Sequence, residues 1–229
     1  MIMRALIGCF TAMGLLLATA GHAADTDWKQ GEHYFLINPA QKMNPANELE
    51  VTEAFSYGCP ACNQFYPLME KLIASLPPGT KVEYLPASFI PAESWPLFQR
   101  AYCTAQKLGV VEKTHGEMFH AIWGPGELAT FDFVDQRLKD PPPRIENVAK
   151  FYNRVAGVDT QKFLETARSS GVESCMQRSD RMMETYKVDS TPTIIVNGKY
   201  RATPTSAGSY GLLVELVQWL VAREAKAAQ

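Results

Sequence analysis

Cys59 and Cys62, in the run Cys59-Pro60-Ala61-Cys62, are the side chains in this 229-residue chain best spaced for chemistry. Two thiols at that spacing can close a small disulfide and reopen it. A bridge across two residues removes little unfolded-state entropy, because that stabilisation grows with loop length. The pair therefore reads as reactive and not as a staple. Exchange needs a thiolate, and a free thiol is mostly protonated at neutral pH. A helix N-terminus supplies partial positive charge and unsatisfied N–H groups. Cys59 stands where a helix should begin, and Pro60 suits the first helical position, where its missing N–H costs nothing. Its pKa should be lowered, so that it attacks or is attacked. Cys62, one turn in, should be more buried and resolve the mixed disulfide. A stabilised Cys59 thiolate favours the dithiol, and a favoured dithiol gives its disulfide away.

Zinc is the rival use of a cysteine pair. A structural zinc site takes four ligands, usually from two such pairs. There is one pair here; His115 and His120, five apart, do not share a helix face, and His33 stands alone. No metal is expected.

The elements that position the pair follow from the apolar spacing. Leu49, Val51, Glu53, Phe55 and Tyr57 share one face of a strand, with Glu50, Thr52, Ala54 and Ser56 on the other. Glu53 breaks the apolar row six residues before Cys59. A buried acid there could carry protons for the resolving thiol; an acid at an exposed strand end is the plainer alternative. Gly58 ends the strand. A helix continues over 63–76, with Phe65, Leu68, Met69, Leu72 and Ile73 on its apolar face, and Pro77-Pro78-Gly79 stops it. Residues 81–85 read as a second strand, and Tyr34-Phe35-Leu36-Ile37 as an edge strand. Asn38-Pro39 and Asn44-Pro45 read as turns.

From about Ser94 to Val188 the period changes to that of helices. Phe98, Ala101, Tyr102, Ala105 and Leu108 form one stripe; Met118, Phe119, Ile122 and Trp123 a second, ended by Gly124-Pro125-Gly126. Ile145, Val148, Ala149, Tyr152 and Val155 form a third. Phe163, Leu164 and Ala167 follow a polar start at Asp159-Thr160 and end at Gly171; Met176, Met182, Met183 and Tyr186 mark one more. Pro141-Pro142-Pro143 is a stiff linker. Trp123, Tyr152, Met182 and Met183 read as core. Strand signal returns at Thr193-Ile194-Ile195-Val196, turned by Asn197-Gly198 into Lys199-Tyr200-Arg201. Thr191-Pro192 precedes this hairpin as a strand start. A last helix runs over about 209–225. The order implies a small α/β layer with a helical block inserted in it.

Residues 1–23 read as an export signal. Arg4 begins it, Ala5 to Leu17 is its apolar core, and Gly21-His22-Ala23 fits the cleavage pattern. Leu6-Ile7-Gly8-Cys9 is too early to be a lipid-attachment box. Cleavage leaves 21 Lys plus Arg against 24 Asp plus Glu, a net charge of -3. That balance gives no reason to expect nucleic acid or an anionic membrane surface as partner. Cleavage also removes Cys9 and leaves Cys103 and Cys175 besides the reactive pair. In an oxidising compartment these two could form a structural bridge, or remain buried thiols.

The runs Phe55-Ser56-Tyr57-Gly58-Cys59-Pro60-Ala61-Cys62 and Val188-Asp189-Ser190-Thr191-Pro192-Thr193, with the helical block between and Val196-Asn197-Gly198-Lys199-Tyr200 after, resemble the DsbA family of periplasmic thiol:disulfide oxidoreductases. The likeness covers essentially the whole chain after the signal. It implies a thioredoxin fold with an inserted α-helical domain: 24–93 and 189–229 thioredoxin-like, 94–188 helical. It implies Cys59 as nucleophile, Cys62 as resolving thiol, an acid at Glu53, and Pro192 in cis facing the pair with Thr191 before it. It further implies unfolded exported proteins as substrates, a DsbB-like membrane reoxidant, and no cofactor beyond the Cys59–Cys62 disulfide. A low nucleophile pKa and a strongly oxidising pair are family properties. One departure stands out. The best-known members carry histidine at the third motif place, where this chain has Ala61; a less oxidising pair is expected. Two other functions compete: a disulfide isomerase or reductase, and a chaperone-like binding module with structural cysteines. Isomerase relatives carry an N-terminal dimerisation domain, whereas 35 residues separate the cleavage point from Cys59, so a monomer is expected.

Overall fold

The computed structural model describes residues 27–41, 48–124 and 126–227. The signal segment and the Asn44-Pro45 turn lie outside the described residues. β1 (Phe35–Leu36), β7 (Tyr200–Ala202), β6 (Thr193–Val196), β2 (Glu50–Phe55) and β3 (Lys81–Pro86) form one sheet in that order. β2 and β3 run parallel; β2–β6, β6–β7 and β7–β1 are antiparallel. The Asn197-Gly198 turn is seen directly. Both residues have positive φ, and the Lys199 N–H donates to the Val196 carbonyl at 3.0 Å. A Cβ on Gly198 would strike the Gln41 backbone, so that site needs glycine for space as well as for φ.

β2 joins β3 through α1 (Pro60–Ser75). Between β3 and β6 come a 3₁₀ turn (Pro91–Glu93), α2 (Trp95–Lys107), α3 (Val111–Trp123), a two-stranded ribbon of β4 (Phe131–Asp132) and β5 (Arg137–Leu138), then α4 (Ile145–Ala156), α5 (Thr160–Ala167) and α6 (Ser170–Thr185). After β7 a short α7 (Pro204–Ala207) leads into α8 (Tyr210–Ala227). The whole is a thioredoxin fold with a helical insertion.

Two apolar cores sandwich the sheet. In one, Phe65, Met69 and Leu72 of α1 pack with Leu213, Leu216, Val217 and Leu220 of α8 on Val51, Ile194 and Val196. The other joins Ala54, Phe55, Tyr57 and both motif cysteines to Phe98, Tyr102, Phe119, Tyr152, Phe163 and Tyr186 of the inserted helices. The insertion therefore shares its core with the sheet that carries the site.

This double covering buries β2 on both faces. All six of its residues are buried, Glu50 and Thr52 included. The polar ones are satisfied locally: the Thr52 hydroxyl donates to the Glu50 carboxylate at 3.1 Å, and the Glu50 N–H to the Asn197 side chain at 2.8 Å. Gly171 corrects the sequence reading, in which it closes the preceding helix. It lies in the first turn of α6, whose N-cap is Ser169; α5 ends at Ala167, and the Arg168 and Ser169 N–H groups turn back onto the Glu165 and Thr166 carbonyls. The β4–β5 ribbon and α7 are elements the apolar spacing did not announce.

Candidate active site

The strand-to-helix turn puts Cys59 at the N-cap of α1, with extended backbone (φ -89°, ψ 117°) and Pro60 next. The turn is held from both sides. Ser56 accepts the Cys59 N–H on its carbonyl and the Gly58 N–H on its hydroxyl. The Trp123 indole N–H donates to the Tyr57 carbonyl at 2.9 Å. A Cβ on Gly58 would lie 2.9 Å from the Trp95 ring, so glycine lets the loop settle against that indole.

The structure holds the pair as two thiols. Cys59 is 5% exposed and Cys62 0%. The Cys62 backbone N–H donates to the Cys59 sulfur at 3.4 Å, the bond an N-cap side chain accepts. The Thr191-Pro192 bond is cis. The Thr191 carbonyl lies 3.4 Å from the same sulfur, which donates to it as a thiol. The Thr191 hydroxyl is buried without a hydrogen-bond partner among the described residues.

These contacts split the two acidities. The Cys62 thiol, donating to the Cys59 sulfur, is the largest influence on Cys59. With the Thr191 hydroxyl and the N–H groups of Cys62 and Ala61 it outweighs burial and brings the Cys59 pKa down from 9.0 to about 6. Burial, then the hydrogen bond and charge of Cys59, then Glu53, push Cys62 well above the ordinary thiol range. One thiol is thus an anion at neutral pH beside a protonated neighbour.

Glu53 lies in the middle of β2, paired with Tyr84 of β3 and Ile194 of β6, and is 3% exposed. The exposed-end alternative for this acid is thereby removed. Burial first, then the charges of Cys59 and Glu70, push its pKa up to about 8, so it is mostly protonated at pH 7.

Beneath the loop lies an aromatic cluster. Phe55, Tyr57, Tyr84, Tyr102 and Phe119 surround His115, whose Nδ1 is 2.9 Å from the Tyr57 hydroxyl. Burial holds His115 down to about 3, so the ring is neutral. Trp123 and His115 were not apparent as supports of the site. The signal for Trp123 was its indole N–H, which needs an acceptor when it packs into a core.

Of the residues singled out by sequence, Cys59, Pro60, Ala61 and Cys62 form the start of α1, the Thr191 carbonyl touches the Cys59 sulfur with Pro192 next in the chain, and Glu53 lies on β2, the strand that leads into the loop. Cys103 and Cys175 belong to α2 and α6 instead. They are joined to each other, with Cα atoms 5.9 Å apart, tying α2 to α6.

Fold and site together define a thioredoxin-fold thiol:disulfide oxidoreductase. Comparison narrows the class. A family profile described as Thioredoxin matches residues 44–215. The thiol:disulfide interchange protein DsbA of Pseudomonas aeruginosa is 31% identical over 228 residues, covering 99% of this chain and all of the relative. The DsbA of Azotobacter vinelandii is 28% identical over 217 residues, covering 95% of this chain and 94% of the relative. The crystal structure of Pseudomonas aeruginosa DsbA superimposes with a TM-score of 0.74 at 29% identity, covering 88% of this chain and 97% of that one. Oxidoreductase DsbA from Xylella fastidiosa gives 0.74 at 29%, covering 85% and 96%. The chain belongs to the DsbA family.

Proposed function

We propose that this protein is a periplasmic dithiol oxidase that donates the Cys59–Cys62 disulfide to newly exported, unfolded proteins. The observation that carries the reading is the divided acidity of the pair, Cys59 down to about 6 and Cys62 far above it. A substrate thiolate attacks the Cys59 sulfur of the disulfide; that S–S bond breaks and Cys62 leaves as a thiolate. Glu53, protonated at neutral pH, supplies its proton. A second substrate thiolate then attacks the substrate sulfur of the mixed disulfide and expels Cys59. Cys59 is a good leaving group because its thiolate is stabilised. Two electrons pass to the protein, the substrate gains a disulfide, and Glu53 regains a proton from solvent. A DsbB-like membrane partner removes the electrons. The disulfide is the whole redox group in this scheme, with no metal, no other cofactor and no nucleic acid. The chain acts as a monomer once residues 1–23 are removed, with 24–93 and 189–229 as the thioredoxin-like unit and 94–188 as the helical one.

The test uses single turnover. One equivalent of oxidised protein, mixed with a reduced unfolded polypeptide carrying two cysteines, should oxidise it and emerge as the dithiol. Cys59→Ser should abolish transfer. Cys62→Ser, offered a polypeptide disulfide, should accumulate a mixed disulfide through Cys59. Transfer that survives Cys59→Ser would overturn the assignment.

A further inference from the structure

The ribbon of β4 and β5 presents apolar side chains to water, two in its turn and one on β5. Phe133 is 60% exposed, Val134 91% and Leu138 40%. Apolar side chains grouped in this way mark interaction sites more often than chance. The tip is held rigid for that display. The Asp132 carboxylate accepts the N–H groups of Val134 and Asp135, the Gln136 side chain donates to the Phe133 carbonyl, and Arg137 pairs with Asp135.

The ribbon is coupled to the catalytic loop by an aromatic chain. The Phe133 ring lies 5.2 Å from Phe131 and 6.3 Å from Trp123, centre to centre. Trp123 in turn donates to the carbonyl of Tyr57, two residues before Cys59. Trp123 also lines an open groove of about 560 Å³ that takes in Asn63, next to Cys62, together with Tyr66, Phe119 and His120. The exposed tip and this groove thus meet at Trp123, the residue that touches the loop leading to Cys59.

We infer that the β4–β5 tip is a docking rim for the substrate polypeptide: Phe133 and Val134 take up an apolar side chain a few residues away from the substrate cysteine held at Cys59. This rests on the oxidase reading above. An extended chain advances about 3.3 Å per residue, so it takes a peptide of several residues, and not a single cysteine, to span from Cys59 to a rim linked to it through Trp123 and Tyr57. Two other occupants fit less well. Around the tip, Asp132, Asp135 and Asp140 stand against Arg137 and Lys139, so no excess of positive charge attracts an anionic lipid surface. Three side chains on one ribbon are also far too little surface for a stable dimer, which needs on the order of 800 Å² from each partner.

The test compares two synthetic peptides, each with one reduced cysteine: one flanked by leucine and phenylalanine, the other by serine and glycine. Their reaction rates with the oxidised protein are measured beside that of glutathione, which is too small to span to the rim. Phe133→Ser with Val134→Ser should lose about tenfold in rate on the apolar peptide, the size expected for losing partial burial of two apolar groups. Rates on the polar peptide and on glutathione should stay as in the parent protein. Phe133→Leu should recover most of the loss. Equal rates for variant and parent on the apolar peptide would overturn the rim and leave the oxidase reading intact. An equal loss on glutathione would also overturn it, since the tip would then be acting on the cysteine pair itself. A parent protein that oxidises neither peptide would overturn the oxidase reading and the rim with it.

Discussion

Replacing Glu53 with glutamine should make this protein more stable at pH 7 and slower at its chemistry. Glu53 is buried at the centre of β2, and its pKa rises from 4.5 to about 8 on folding. A carboxyl raised in this way favours the folded state least at high pH. Below pH 4.5 both states hold the proton and the burial costs nothing through ionisation. Between 4.5 and 8 the unfolded chain releases the proton and the folded one keeps it, so stability falls as pH rises. At pH 7 the accumulated cost is roughly 3 kcal/mol, at 1.36 kcal/mol per unit. Glutamine escapes that cost but buries an amide, leaving a net gain of roughly 1–3 kcal/mol. For a chain of this size each kcal/mol is about 2–4 °C in melting temperature. The gain should be larger in the dithiol form, because the Cys59 charge is the second cause of the raised pKa. Urea unfolding of parent and Glu53→Gln, oxidised and reduced, at pH 4.5 and pH 7 measures all of this. A gap that opens between the two pH values supports the reasoning; a destabilised variant, or the same gap at both, refutes it. On the proposed scheme the same substitution should slow formation of the mixed disulfide, because the departing Cys62 thiolate would lose its proton donor.

The reduced protein should show a thiolate absorbance that titrates with a midpoint near 6 and disappears in Cys59→Ser; a midpoint near 9 would remove the basis of the divided acidity. Because that pKa is depressed, the advantage of the dithiol form is lost as pH falls through about 6 and grows above it. At pH 7 it amounts to about 1.4 kcal/mol, or about 30 mV of potential. Removing Cys103 and Cys175 together opens a loop of 72 residues, which should cost about 4 kcal/mol and roughly 10 °C in melting temperature, with exchange on glutathione retained. Ala61→His should raise the reduction potential, since a cationic or donating ring beside the N-cap adds to the N–H groups that already favour the Cys59 thiolate; an unchanged or lower potential counts against that account.

How legible these features were in the sequence depended on how local their causes are. The start of α1 at Cys59-Pro60 and the Asn197-Gly198 turn rest on neighbouring residues, and both could be read directly. The helical stripes gave the inserted block because each buries one face. β4 and β5 are two residues each, too short for any period to show. β2 is covered more completely than its alternation shows: Glu50, Thr52 and Glu53 lie under helices packed on both faces of the sheet. The meeting of Cys103 with Cys175, of Thr191 with Cys59, and of Trp123 with the Tyr57 carbonyl joins residues 72, 132 and 66 positions apart. Such meetings belong to the packing, and no local rule encodes them.

The reduction potential of the Cys59–Cys62 pair, measured by equilibrating the protein without residues 1–23 against glutathione, tests the central claim most directly. A disulfide donor should lie well above the ~-270 mV of thioredoxin, toward or beyond the roughly -180 mV of protein disulfide isomerase. A value near thioredoxin's would contradict the oxidase account and move the protein to the reductase or isomerase class, with Ala61 the first residue to examine.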